Sequence, residues 1–108
     1  MSAGKKGVTT LFVGLPKPNE IVGLNEPFVV AGGADLNNLR EVTIQVDAGP
    51  VMRANVTIIP HVMPPRVVFV GFGTVTTPGR HAVTVEALYW EIQTQTVTVD
   101  IQAQGTVE

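Results

Sequence analysis

Apolar and polar residues alternate along most of this chain with the period of two that a half-buried β-strand imposes. Arg40 to Val46 shows it most cleanly. Val42, Ile44 and Val46 fall on one face, and Glu41, Thr43 and Gln45 on the other. Such a strand is expected to bury one face and wet the other. The stretch from Pro78 to Ile101 repeats the pattern twice. Arg80–Ala87 and Gln93–Ile101 flank a break at Leu88–Glu91, which predicts an antiparallel hairpin. In it His81, Val83, Val85 and Ala87 share a face. Val97, Val99 and Ile101 supply the matching one. Each valine or isoleucine buried there stabilises the fold by roughly 1.5–3 kcal/mol relative to exposure.

The remaining runs are shorter. Val8–Val13 predicts a first strand with Leu11 and Val13 inward, ended by Pro16 and Pro18, which cannot donate to a ladder. Ile21-Val22 is expected as a short continuation on a second sheet, followed by turn chemistry at Gly23–Pro27. Phe28–Ala31 reads as a strand with Phe28 and Val30 inward, and Gly32–Asn38 as a loop. After a turn at Asp47–Pro50, Val51–Ile59 reads as one strand with Met52, Ala54, Val56 and Ile58 on a common face. Pro60–Pro65 is an irregular crossing. Arg66–Phe72 is almost continuously apolar, which fits a strand covered on both faces or an edge strand. Gly71–Gly73 closes it, and Thr76–Gly79 leads into the hairpin.

These runs amount to about seven strands at turn-separated intervals, the spacing of a sandwich or small barrel. No long stretch carries a capped, 3.6-period apolar stripe, which argues against a helix-dependent fold. The expected fold is an all-β antiparallel sandwich occupying residues 8–102. Residues 1–7 would form a flexible leader and residues 103–108 a tail or linker.

Composition adds limits. A chain of 108 residues makes one domain. There is no cysteine, which rules out disulfides and thiolate metal sites. A net charge of −2, with only Lys5 and Lys6 adjacent among the basic residues, argues against nucleic acid and against electrostatic membrane binding. No apolar run is long enough for a membrane-spanning helix, and the polar N-terminus lacks the apolar core of a signal peptide.

Three pieces resemble immunoglobulin-like or fibronectin-III-like domains of bacterial multidomain proteins. They are Gly23–Ala34, Leu39–Gly49 (similar to V-x-V-x-V-D-G-G) and Pro78–Ala87 (similar to P-G-x-H-x-V-x-V-x-A). The resemblance implies an immunoglobulin-like sandwich in a secreted or cell-surface protein, with neighbouring domains as partners. The chain departs from the pattern where Leu88-Tyr89-Trp90-Glu91 replaces an Asp-Gly turn, and it lacks the Cys–Trp–Cys core of antibody domains. Similar pieces recur in the dimerisation domain of sulfite-oxidase-type enzymes, which implies pairing as a further role.

Candidate chemistry is sparse. His61 and His81 are the only histidines, and nothing in the sequence brings them together. Asp35 with Asn37 and Asn38 is the densest oxygen cluster, but these are ordinary turn residues and lack calcium-loop spacing. Asn55-Val56-Thr57 matches a glycosylation sequon, a chance match if the module is bacterial as the resemblance implies. No nucleophile elbow, catalytic triad order or phosphate loop occurs. No catalytic, metal or cofactor site is therefore expected.

The turn is the exception. It holds the single Tyr and single Trp, and such rings anchor interfaces and stack on sugars. Tyr89, Trp90 and Glu91 are the candidate ligand residues. If strand geometry runs through Tyr89 and Trp90, they point to opposite faces. Three roles follow: a non-catalytic spacer or adhesion module, a carbohydrate-binding module using Tyr89 and Trp90, or a dimerisation domain pairing through Arg66–Phe72.

Overall fold

The computed structural model describes residues 11–59, 66–91 and 93–105. Nine strands and no helix occur among them. In order they are β1 (Phe12–Leu15), β2 (Glu20–Gly23), β3 (Phe28–Asp35), β4 (Leu39–Val46), β5 (Val51–Arg53), β6 (Asn55–Ile59), β7 (Arg66–Gly73), β8 (Gly79–Tyr89) and β9 (Gln95–Gln104). They form two sheets, β1-β3-β7-β6 and β2-β9-β8-β4-β5. The domain is an all-β sandwich, as the alternation predicts.

The hairpin β8–β9 is the longest pairing, in register from Gly79 opposite Ala103 to Ala87 opposite Gln95. Its inward valines face β3 and β7. Val83, Val85, Ala87 and Ile101 are fully buried, together with Val42 and Ile44 of β4 and Val30, Val67 and Phe69 of the other sheet. Phe69 is the largest of these fully buried side chains. Every strand pair is antiparallel except β2 with β9, which is parallel. The short Ile21-Val22 piece thus joins the second sheet as expected, and Val22 packs opposite Ala103.

Five expectations change. β3 continues through Gly32-Gly33-Ala34-Asp35, which is strand and not loop. These glycines are there for close approach: a Cβ on Gly33 would lie 2.6 Å from the Phe12 ring, and one on Gly32 would collide with the Phe12 carbonyl oxygen. The Val51–Ile59 run splits at Ala54, where the chain leaves the five-stranded sheet for the four-stranded one. Ala54 donates its amide to the Val42 carbonyl (2.8 Å) and is buried. Met52, Val56 and Ile58 share its predicted face but stay exposed, because β5 and β6 are the outermost strands of their sheets.

β7 is neither an edge strand nor covered on both faces. It lies between β3 and β6, burying Val67 and Phe69 while Val68, Val70 and Phe72 face outward. β9 extends to Gln104, with Ala103 buried, so the fold runs beyond the expected boundary at residue 102. Among the described residues the first strand is Phe12–Leu15, running past its expected end at Val13, with Leu11 buried just ahead of it and its amide donating to Gln95 Oε1 (3.2 Å). The predicted leader (1–7), residues 8–10, the crossing at 60–65 with His61, and residues 106–108 lie outside the described residues.

Candidate functional site

The predicted turn is built by the end of β8. Strand alternation runs through Tyr89, so its ring points inward with Val85 and Ala87 and is 6% exposed. The next residue points the other way, and Trp90 is 59% exposed. Tyr89 is therefore a core residue, which corrects its assignment as a ligand contact. Trp90 and Glu91 remain on the surface.

Trp90 is held from two sides. Its amide donates to the Asn38 carbonyl (2.8 Å), which ties the β8–β9 turn to the β3–β4 turn. The Arg40 guanidinium stands 4.6 Å from the indole centroid, a cation–π contact. Pairing of β4 with β8 slips between Leu39 and Glu41, so Arg40 occupies a bulge. A bulge re-aims its side chain out of the normal alternation, here beside the indole. Glu91 has φ of 93°, a left-handed conformation that favours glycine. The chain thus turns sharply after Trp90 at a non-glycine residue and leaves the ring projecting.

The oxygen cluster beside it is turn chemistry. Asp35 Oδ1 accepts the Asn37 amide (3.1 Å), and Asn38 takes φ of 63°. No group of three or more metal-ligating side chains comes together among the described residues.

A second constellation lies near the start of β8. His81 shares the inward face as predicted, but at its end, where 12% of the side chain remains exposed. Its Nδ1 donates to Asp47 Oδ2 (2.6 Å) and its Nε2 to the Thr77 carbonyl (2.8 Å). Asp47 Oδ1 in turn accepts the Ala82 amide (3.0 Å), and the Asp47 amide donates to the Ala82 carbonyl (2.8 Å). This locks the β4–β5 turn onto β8. The group borders an open cleft of about 550 Å3, lined in part by Met52, Phe72, Val75, Thr76 and Thr77. Both acceptors are satisfied only when the ring carries both protons, and an imidazole so engaged has no lone pair for general-base chemistry. The group is a clamp.

The clamp makes stability depend on pH. The hydrogen bond to Asp47 first, and that to the Thr77 carbonyl second, raise the His81 pKa above 6.5. The Ala82 amide first, and His81 second, lower the Asp47 pKa below 3.8. The His81 contribution is complete below the unfolded value and is lost as pH rises through the raised one. The Asp47 contribution is complete above its unfolded value and is lost as pH falls through the lowered one. Melting temperatures should therefore fall as pH rises above about 6.5. A His81→Phe chain should show a flatter profile over that range; an equally steep one would remove the clamp from the explanation.

Sequence reasoning missed Arg40, Asp47 and Thr77 as members of these groups. Asp47 and His81 stand 34 residues apart, and Arg40 meets Trp90 only through a bulge. The Asp at the turn and the His at the strand start were visible separately, with no local signal to join them.

No family model and no curated protein matches this chain. Solved structures do match. The X-ray structure of the endo-β-1,4-mannanase from Thermotoga petrophila aligns over 92% of this chain with a TM-score of 0.66 and 17% identity. The chain is similar to one fifth of that longer enzyme, covering 20% of its length. At that identity the likeness speaks for the fold alone.

Proposed function

We propose that this chain is a non-catalytic, immunoglobulin-like module of a larger bacterial extracellular or cell-envelope protein, serving as an accessory interaction domain. The observation that carries this reading is the alignment of nearly the whole chain with one fifth of a mannanase. There, too, a sandwich of this kind is one part of a much longer chain. The clamp of His81 supports a structural use for the histidine, since both ring nitrogens are already engaged.

A second reading is favoured by the Trp90 end. An indole 59% exposed and braced by Arg40 is poised to stack on a flat, weakly polar ligand face. Sugar rings present such a face, and the similar enzyme is named for a β-1,4-linked mannan. In this reading Trp90 carries the contact, Arg40 and Glu91 supply polar groups at its rim, and Tyr89 holds the turn to the core. Titration of a soluble β-1,4-mannan, followed by Trp90 emission, tests it. A plain spacer would leave the emission unchanged.

A further inference from the structure

The two sheets differ in what they turn outward. The five-stranded sheet presents Thr84, Glu86 and Thr98, with an Arg53–Glu41 ion pair (2.9 Å) across β5 and β4, and the exposed apolar residues Ile21 and Val51 stand apart on its two edge strands β2 and β5. That is an ordinary wet face. The four-stranded sheet instead presents Phe12, Leu15, Val29, Val68, Val70 and Phe72, all exposed.

These six side chains are contiguous. Val29 stands opposite Phe72 in register, Ala31 opposite Val70, and Gly33 opposite Val68. Phe12 and Leu15 of β1 pair opposite Gly33 and Ala31 on the same face. The Phe12 ring lies against Gly33. Together they expose on the order of 500 Å2 of apolar surface, near the top of what a lone monomer shows. A stable interface covers about 800 Å2 per partner, with an apolar centre and a polar rim. The patch has the size of such a centre.

Its end carries charge. Asp35 and Arg66 stand opposite each other in register, on the same outward face as Val29 and Phe72. A two-fold axis running along the strands, midway between β3 and β7, would lay β3 of one copy over β7 of the other. Val29 would meet Phe72 of the second copy, and the small Ala31 would meet Val70. Asp35 would meet Arg66 twice, once in each direction. Small side chains would face large ones and opposite charges would face each other. Sheets pack about 10 Å apart in this aligned way in ordinary sandwiches.

We infer that this face joins a second copy of the chain through such β3-over-β7 packing. The inference does not depend on the Trp90 reading, since Trp90 lies on the turn after β8 of the other sheet.

Light scattering or sedimentation over a wide concentration range tests it. The full chain should reach twice its mass, and Val70→Glu should weaken association at least tenfold. Thr84→Glu, on the opposite sheet, should not. Arg66→Asp and Asp35→Arg chains should each associate poorly alone, and an equimolar mixture should pair, because each charge then meets its opposite across the interface. These two surface variants keep the test open if Val70→Glu fails to fold. A chain that stays monomeric up to about 1 mM, a range that detects even weak pairing, overturns the inference. Such a chain would leave the face to a neighbouring domain. A dimer indifferent to Val70→Glu and to mixing also overturns it, because another surface would then be used.

Discussion

A Val85→Asp chain is expected to lose its cooperative thermal transition, whereas a Thr84→Asp chain keeps it. Val85 is fully buried, with Ile44 of β4 on one side and Val97 of β9 on the other. An aspartate there must either hold a charge in an apolar interior or take up a proton to avoid doing so. Either course costs several kcal/mol, on top of the lost apolar burial. A domain of this size has only about 5–15 kcal/mol of net stability. Thr84 points to the wet face, with its hydroxyl 3.5 Å from that of Thr98. A carboxylate there stays in water, and the change should fall within about 1 kcal/mol. Circular dichroism melts of the two chains decide the matter. Equal behaviour would mean that the faces of β8 are assigned wrongly.

The second large effect is expected at Gly32. An added methyl would collide with the Phe12 carbonyl oxygen and lie 2.9 Å from Phe69 Cζ. A flexible side-chain end could move aside, but a backbone carbonyl in a paired strand cannot do so alone. Gly32→Ala should therefore push β1 off β3 and disturb Phe69, the largest fully buried side chain. A cost of about 1–3 kcal/mol or more is typical of such overpacking. Gly14→Ala is the control, since its nearest neighbour, the Ala31 carbonyl oxygen, would be 3.8 Å away. Urea midpoints should separate the two variants clearly. Equal midpoints would show that β1 does not seat against Gly32.

The same residues show what could be read in advance. Strict alternation made β4, β8 and β9 legible, because each sets an apolar face against a polar one, although Thr43 on the polar face of β4 is itself buried. The Gly32-Gly33 pair reads as a loop from sequence because glycine serves both turns and close approach, and only the position of Phe12 separates the two. The β5–β6 run hid its change of sheet, since the apolar period continues unbroken through Ala54. β7 was ambiguous for a different reason. Its outward residues are as apolar as its inward ones, so the pattern could not reveal that one face is uncovered.

At the candidate site, alternation has Tyr89 and Trp90 pointing oppositely, and which one enters the core depends on whether β8 continues past the break expected at Leu88, as it does. The parity of Val83, Val85 and Ala87, continued one step further, assigns Tyr89 to the interior. Arg40 was illegible because a bulge departs from the very alternation used to place side chains. The clamp joins a turn residue to a strand start, and pairings that distant leave no mark on local periodicity.

The position of Trp90 also makes the closing measurement simple, because it is the single tryptophan. The emission of the native chain should be followed during titration with soluble β-1,4-mannan, for the wild type and for Arg40→Ala. Binding to the wild type should quench or shift the emission in a saturable way, more weakly without Arg40. Unchanged emission at saturating polysaccharide would contradict a glycan-facing role for this end of the module.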